Sequence, residues 1–193
     1  VANVLSGLGG GGTDYSAPTL SLNNLIHSGL DFPPEIEQMI LNHNSLTPIL
    51  PMKPDTFENF DFPLIINDQG FVLGGFSNTI QTQNIPVDTP VQIKMLFYES
   101  TKIQHISMYT NLRDNKSQIS QSDTQILYND GKPLKIVDPN GLFESATVTI
   151  NDIDDIKKQA VFDITFAKPM DTSDVIIRSW DPTLHSVDTF ILD

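Results

Sequence analysis

The chain has 193 residues, of which 39% are hydrophobic and 18% charged, so it is long enough to bury the core of one domain. Its formal net charge of −13 disfavours binding to nucleic acids and to anionic lipids. The absence of cysteine excludes disulfides, thiolate metal sites and thiol nucleophiles. No apolar run approaches the roughly 18 residues of a membrane-spanning helix, so we predict no direct membrane insertion by these residues.

Residues 1–31 are predicted to form a glycine-rich N-terminal arm. Four aliphatic residues within positions 1–8 fall on one helical face, but this stretch covers only two turns. The four glycines at 9–12 cost too much backbone entropy to belong to a regular element and predict a flexible tether. Residues 13–22 then look extended, and Pro18, which lacks a backbone donor, suits the edge of a sheet.

Residues 32–61 are predicted to form one short helix followed by a proline-rich connector. The helix is expected over 33–44, because a proline pair precedes two glutamates in the first turn, where the helix dipole favours acidic groups. Four prolines between positions 47 and 63 then exclude a second helix. We expect the arm and the helix to cap one face or one edge of the following domain.

Residues 62–193 show the short alternating apolar runs of β-strands, separated by turn sequences such as 129–132 and 138–141. Strands at this spacing with little helix indicate an antiparallel sandwich or barrel. We predict an all-β, antiparallel immunoglobulin-like sandwich with an extended N-terminal arm and one short helix. The predicted strands cover residues 62–66, 71–74, 77–85, 91–98, 104–111, 125–128, 134–137, 146–150, 158–166, 174–180 and 186–192.

Several short runs form a combined pattern, at residues 11–20, 79–83, 103–112, 122–124, 137–141, 165–170 and 177–181. This pattern resembles a group of predicted exported proteins of ammonia-oxidising archaea. The resemblance covers most of residues 70–193 and the start of the arm. It implies an extracellular or cell-surface location and an immunoglobulin-like sandwich, and it implies no established activity.

A catalytic centre is not predicted. Hydrolases of the serine type need a nucleophile, a base and an orienting group in one place. The chain has no Gly-x-Ser-x-Gly motif, and its four histidines, His27, His43, His105 and His185, are scattered along the sequence. We therefore predict that the protein is not an enzyme and has no cofactor, with a bound calcium ion as the alternative.

The calcium prediction rests on Asp152, Asp154 and Asp155, which lie close together in an expected hairpin. Oxygen ligands at short spacing in a flexible loop are what a hard cation requires. The segment lacks the glycine and the distal glutamate of an EF-hand loop. The alternative is an acidic turn exposed to solvent.

A copper site is considered at His105, Met108 and His185, since imidazole and thioether groups bind copper. His105 and Met108 are three positions apart, so within one strand their side chains point to opposite faces. The alternative for His105 is a half-buried histidine in a sheet. Separately, the triplet Asn115-Lys116-Ser117 is an N-glycosylation acceptor pattern in a polar loop.

The function predicted from these features is that of an extracellular structural protein that self-associates as a filament, pilus-like or coat subunit. The arm would add a strand to the sheet of a neighbouring subunit, with interface residues Tyr15, Pro18, Leu20 and Leu22. It could equally fold back on its own domain. In the case of strand addition, the partner is another copy of the chain, in a homo-oligomer or homopolymer. The alternative is a monomeric extracellular binding module that holds calcium or copper or docks to a membrane complex.

Overall fold

The computed structural model describes residues 17–112 and 118–193. These residues form eleven strands and one α-helix, α1, at Pro34–Leu41. The strands confirm the predicted all-β sandwich with a short helix, and each predicted strand overlaps an observed one. Their bounds are β1 Leu64–Ile66, β2 Gln69–Phe71, β3 Ser77–Thr79, β4 Pro90–Tyr98, β5 His105–Leu112, β6 Ser122–Asn129, β7 Lys135–Val137, β8 Phe143–Asp152, β9 Lys157–Phe166, β10 Val175–Trp180 and β11 Ser186–Leu192.

The strands form two sheets. The five-stranded sheet has the order β2-β1-β4-β9-β8, and the six-stranded sheet has the order β3-β11-β10-β5-β6-β7. Among the described strands, all pairings are antiparallel apart from that of β3 with β11, which is parallel. A parallel pair needs a long crossover connection, and here most of the domain lies between these two strands in the sequence.

The main core lies between the two sheets because alternate residues of each strand point to the same face. In β4, Val91, Met95 and Phe97 are at most 1% exposed. They pair with the inward positions of β9, as in the register of Met95 with Ala160. The fully buried side chains from both sheets include Phe71, Phe97, Phe162, Ile106 and Ile126. Each such burial contributes about 1.5–3 kcal/mol to stability.

Apolar side chains from residues 22–62 form a second layer on the outer face of the five-stranded sheet. Leu22, Leu25, Ile36 and Ile40 are buried there against side chains that the sheet turns away from the main core, including Tyr98. This segment therefore belongs to the folded unit, and its apolar residues give the domain a second hydrophobic cluster.

Helix α1 begins at Pro34, one residue after the predicted start, and ends at Leu41, three residues before the predicted end. Pro34 occupies the first turn, and Glu35 and Glu37 follow it there. The helix ends because the chain turns at Asn42, which allows the His43 ring to lie against Gly74, where an added Cβ would come within 2.6 Å of His43 Cβ. In the parts of the chain that the structure describes, no helix is long and apolar enough to cross a membrane.

Candidate functional site

The base of the N-terminal arm is fixed to the domain at one end of the sandwich. Thr19 and Tyr98 exchange two backbone hydrogen bonds, with N–O distances of 3.3 and 2.9 Å. The Ser179 hydroxyl donates to the carbonyl oxygen of Pro18 at 2.9 Å. These bonds tie the start of the described chain to β4 of one sheet and to β10 of the other.

The predicted interface residues Pro18, Leu20 and Leu22 contact their own domain. Leu20 lies in the main core and Leu22 in the second cluster, and both side chains are fully buried. Donation of these residues to a neighbour would require them to leave their own core. Any donated segment is therefore expected to come from residues 1–16, which include the fourth predicted interface residue, Tyr15, and lie outside the described residues.

The proline-rich connector covers two of the four sheet edges. Met52 exchanges two backbone hydrogen bonds with Gly70 of β2, at 2.9 and 2.6 Å. The amide of Ile49 donates to the carbonyl of Thr79 in β3 at 2.8 Å, and Gln81 donates back to Ile49 at 3.0 Å. The outward backbone groups of β2 and β3 thus have partners within the chain.

Strand β8 is a long edge of a different kind. It has ten residues and pairs with β9 on one side. Ala146, Val148 and Ile150 face the space between the sheets, because they stand opposite the inward residues of β9, yet all three are only partly buried. Across the gap, the edge strand β7 has three residues, and its inward Ile136 is 40% exposed. The sandwich is therefore partly open along the side between β8 and β7.

An apolar cavity of about 660 Å³ lies between the sheets at the end of the sandwich opposite the arm. Its wall includes Ile93, Met108, Ile126, Ile164, Phe166 and Val175. Lys168, Asp171 and Asp193 supply charged groups on the lining. Chemically, the cavity suits an aliphatic or aromatic group, with polar contacts available from those charged residues.

The length of strand β4 gives the separation between the fixed base of the arm and the cavity. It runs from Pro90, at the cavity end, to Tyr98, beside Thr19. A strand of nine residues spans roughly 27 Å at about 3.3 Å per residue. The point where the arm joins the domain and the cavity therefore lie at opposite ends of the sandwich.

His105 is held on the outer face of the six-stranded sheet. Its ring stacks on Trp180, with centroids 3.5 Å apart and planes at 8°. Nδ1 donates to Asn129 Oδ1 at 2.7 Å, which leaves Nε2 to accept from the Ser107 hydroxyl. Burial, and to a lesser extent the nearby Arg178 charge, lower the pKa of His105 below its usual value, against a raising effect of the Asn129 hydrogen bond. The imidazole is thus neutral near pH 7.

The lowered pKa of His105 predicts a loss of stability in mild acid. The unfolded imidazole binds its proton near pH 6.5, while the folded one does so at a lower pH. Below about pH 6.5 the unfolded state therefore binds more protons, and the free energy of unfolding falls as the pH decreases. Urea unfolding at pH 7.5 and 5.5 should show a larger acid-induced loss for the native chain than for His105→Gln. Equal losses in the two proteins would contradict this account.

The three residues considered for copper are engaged in separate contacts. Met108 lies in the main core, on the face of β5 opposite to His105, as their spacing predicts. His185 lies in a loop where its Nδ1 is 3.0 Å from Asp181 Oδ2 and 2.8 Å from the Thr183 hydroxyl. Both nitrogens of His105 are already in hydrogen bonds. The copper site stays a prediction that these contacts do not favour.

The three aspartates considered for calcium lie in the hairpin between β8 and β9, near two lysines. Asp152 Oδ1 is 3.6 Å from Lys158 Nζ, and Asp154 Oδ2 is 3.7 Å from Lys157 Nζ. Asp155 is exposed. Within residues 17–112 and 118–193, no group of three or more His, Asp or Glu side chains converges as a metal site would require. The calcium site also stays a prediction, and Asn115, the predicted glycosylation site, lies outside the described residues.

The cavity and the uncovered edge of β8 were not anticipated from the sequence. The relevant signal in the sequence is the run 145–150, in which polar and apolar residues alternate. All six are small or β-branched, and none is charged. Residues 146–150 of that run are predicted as a strand. Whether a strand lies at an edge depends on the order of the other strands, which no local pattern contains.

Comparisons with models of protein families, with curated proteins and with solved structures found no match to this chain. The resemblance to exported archaeal proteins therefore stays an expectation.

Proposed function

We propose that this chain is a non-enzymatic extracellular structural protein that self-associates through its N-terminal residues, as the subunit of a filament or coat. The observation that carries the proposal is the anchoring of residues 18–22 at one end of the sandwich. A fixed base that is preceded in the sequence by a glycine tether and an apolar segment is the arrangement that strand donation needs. Residues 1–16 supply the tether and the tip.

The expected assembly is head to tail. A donated segment and the surface that receives it are different parts of the chain, so each copy can donate to one neighbour and receive from another. Such contacts continue into an open polymer unless the geometry closes them into a ring. A filament or a coat built from one kind of subunit fits this expectation.

The net charge of the chain favours self-association through surfaces that carry no charged side chains. Copies that carry −13 each repel one another. The first charged side chain in the sequence is that of Asp14, so residues 1–13 bring no charged side chain into a contact. The remaining acidic surface would keep the assembled protein soluble in an extracellular setting.

The proposal is tested by comparing the full chain with a chain that lacks residues 1–16. Sedimentation velocity and electron microscopy should show assemblies for the full chain and monomers for the truncated chain. Truncation at residue 16 leaves Leu20 and Leu22 in place, so circular dichroism should show an unchanged β-sheet spectrum. Assembly of the truncated chain to the same extent would refute the proposal.

A second candidate function is the binding of an apolar ligand by a monomer. The inter-sheet cavity of about 660 Å³ favours it, since small-molecule sites commonly have this size. Native mass spectrometry of the purified protein would separate the two functions. A monomer carrying an apolar small molecule supports the second candidate, and metal analysis in the same experiment tests the calcium and copper alternatives.

A further inference from the structure

The edges of the two sheets differ in how well they are protected. The connector partners the backbone groups of β2 and β3 through Met52 and Ile49. Strand β7 is three residues long and begins with Lys135, and short strands and lysines are two ways in which proteins keep edges from pairing. Strand β8 is ten residues long, and nothing in the described ranges pairs with its outer side.

The composition of β8 favours pairing with a further strand. Charged residues, Glu144 and Asp152, stand near its two ends, while residues 145–151 between them carry no charge and no proline. A window of this length with high β-propensity and no charge is the typical template for an added strand. Such a window on a free edge is normally avoided in proteins that remain monomeric.

The inward side of β8 also leaves apolar surface to cover. Ala146, Val148 and Ile150 are partly exposed although they face the space between the sheets. Phe143, at the start of the same strand, belongs to the wall of the cavity. A strand added to this edge would place every second side chain over these three residues.

We propose that the outer edge of β8 receives residues 1–8 of a second copy of this chain as an added strand. This inference rests on the proposed function and names its acceptor surface. Residues 1–8 carry no charged side chain, and in an extended conformation Ala2, Val4, Ser6 and Leu8 would share one face, of which three members are apolar. That face matches the apolar, partly exposed face of β8.

Charge and length are compatible with this occupant. The centre of β8 and residues 1–13 both lack charged side chains, so their contact adds no repulsion between side chains of two strongly acidic copies. The sixteen residues that precede the described chain reach at most about 55 Å when fully extended. This reach exceeds the length of β8, so a tip of eight residues can lie along the edge while the glycines span the gap.

The absence of cysteine in the chain gives a direct test by disulfide cross-linking of full-length proteins. One protein carries a single cysteine on the arm, at Asn3→Cys, Leu5→Cys or Gly7→Cys. The other carries Thr147→Cys, an exposed position at the middle of β8. The matched control is Asp68→Cys, an exposed position in the turn between β1 and β2, at the far edge of the same sheet.

Mixing of the two single-cysteine proteins should give a disulfide-linked dimer between the arm and Thr147→Cys. It should form at least about tenfold faster than with Asp68→Cys, because strand pairing raises the effective concentration of the two thiols. Equal cross-linking rates at Thr147→Cys and Asp68→Cys would overturn the inference. A further protein carries both the arm cysteine and Thr147→Cys in one chain. If a disulfide forms only within that chain and not between two chains, the inference is also overturned. If the chains assemble without the arm-to-β8 link, the acceptor is wrong and the proposed function stands. If no protein assembles, both fail.

Discussion

Replacement of Leu22 by alanine is expected to lower the free energy of unfolding by about 2–5 kcal/mol. Leu22 is fully buried, and it packs in the second cluster with side chains from α1 and from the outer face of the five-stranded sheet. Its amide also donates to the carbonyl of Leu73 at 3.0 Å, a bond that the substitution leaves in place. The loss therefore reports on the packing of residues 17–22 in their own domain.

The matched control is Leu46→Ala, because Leu46 belongs to the same N-terminal segment, residues 17–61, and is 82% exposed. Its substitution should change the free energy of unfolding by less than about 0.5 kcal/mol. Urea denaturation of both variants gives the comparison. A Leu22→Ala protein as stable as the native chain would mean that residues 18–22 do not belong to the core in solution.

The eleven strands could be predicted because each one carries its own pattern. In β4 the inward residues Val91, Met95 and Phe97 occupy odd positions in the sequence, and a period of two is sufficient to identify a strand with one buried face. The helix was also found from local signals, the prolines and glutamates that begin it. The predicted end of the helix lies three residues beyond the observed one. The reason is that His43 contacts Gly74, a residue distant in the sequence that only the folded chain brings near.

The arrangement of the strands could not be predicted from such patterns. The parallel pairing of β3 with β11 joins residues more than a hundred positions apart, such as Ser77 and Phe190. Nothing local encodes this choice. The same limit applies to the arm, where Leu20 and Leu22 have the alternation of an extended segment. That alternation is equally compatible with burial in their own core and in that of a neighbour.

The candidate site likewise has some features that local sequence patterns predict and others that depend on the assembled fold. The position of His105 and Met108 on opposite faces of β5 follows from their spacing and was expected. The stacking of His105 on Trp180 brings together β5 and β10, which are far apart in the sequence. The exposed edge of β8 and the cavity depend on the whole strand order, so they appear only once the sheets are assembled.

The central claim is that copies of this chain join head to tail through residues 1–16. Under the proposed function, a chain without these residues would keep its β8 edge and could still receive a donor, but it could not donate. In a mixture it should therefore stop growth at one end of each polymer. If one chain in ten is truncated, the mean assembly is expected to contain about ten subunits. The reason is that each truncated chain stops the growth of one head-to-tail polymer.

The most direct measurement is the length of assemblies in electron micrographs as the truncated chain is titrated into the full chain. The account predicts a mean length that falls in inverse proportion to the truncated fraction, with a truncated subunit in every assembly. Assemblies whose length does not change with that fraction, while truncated chains either enter them freely or stay excluded, would contradict strand donation as the basis of assembly.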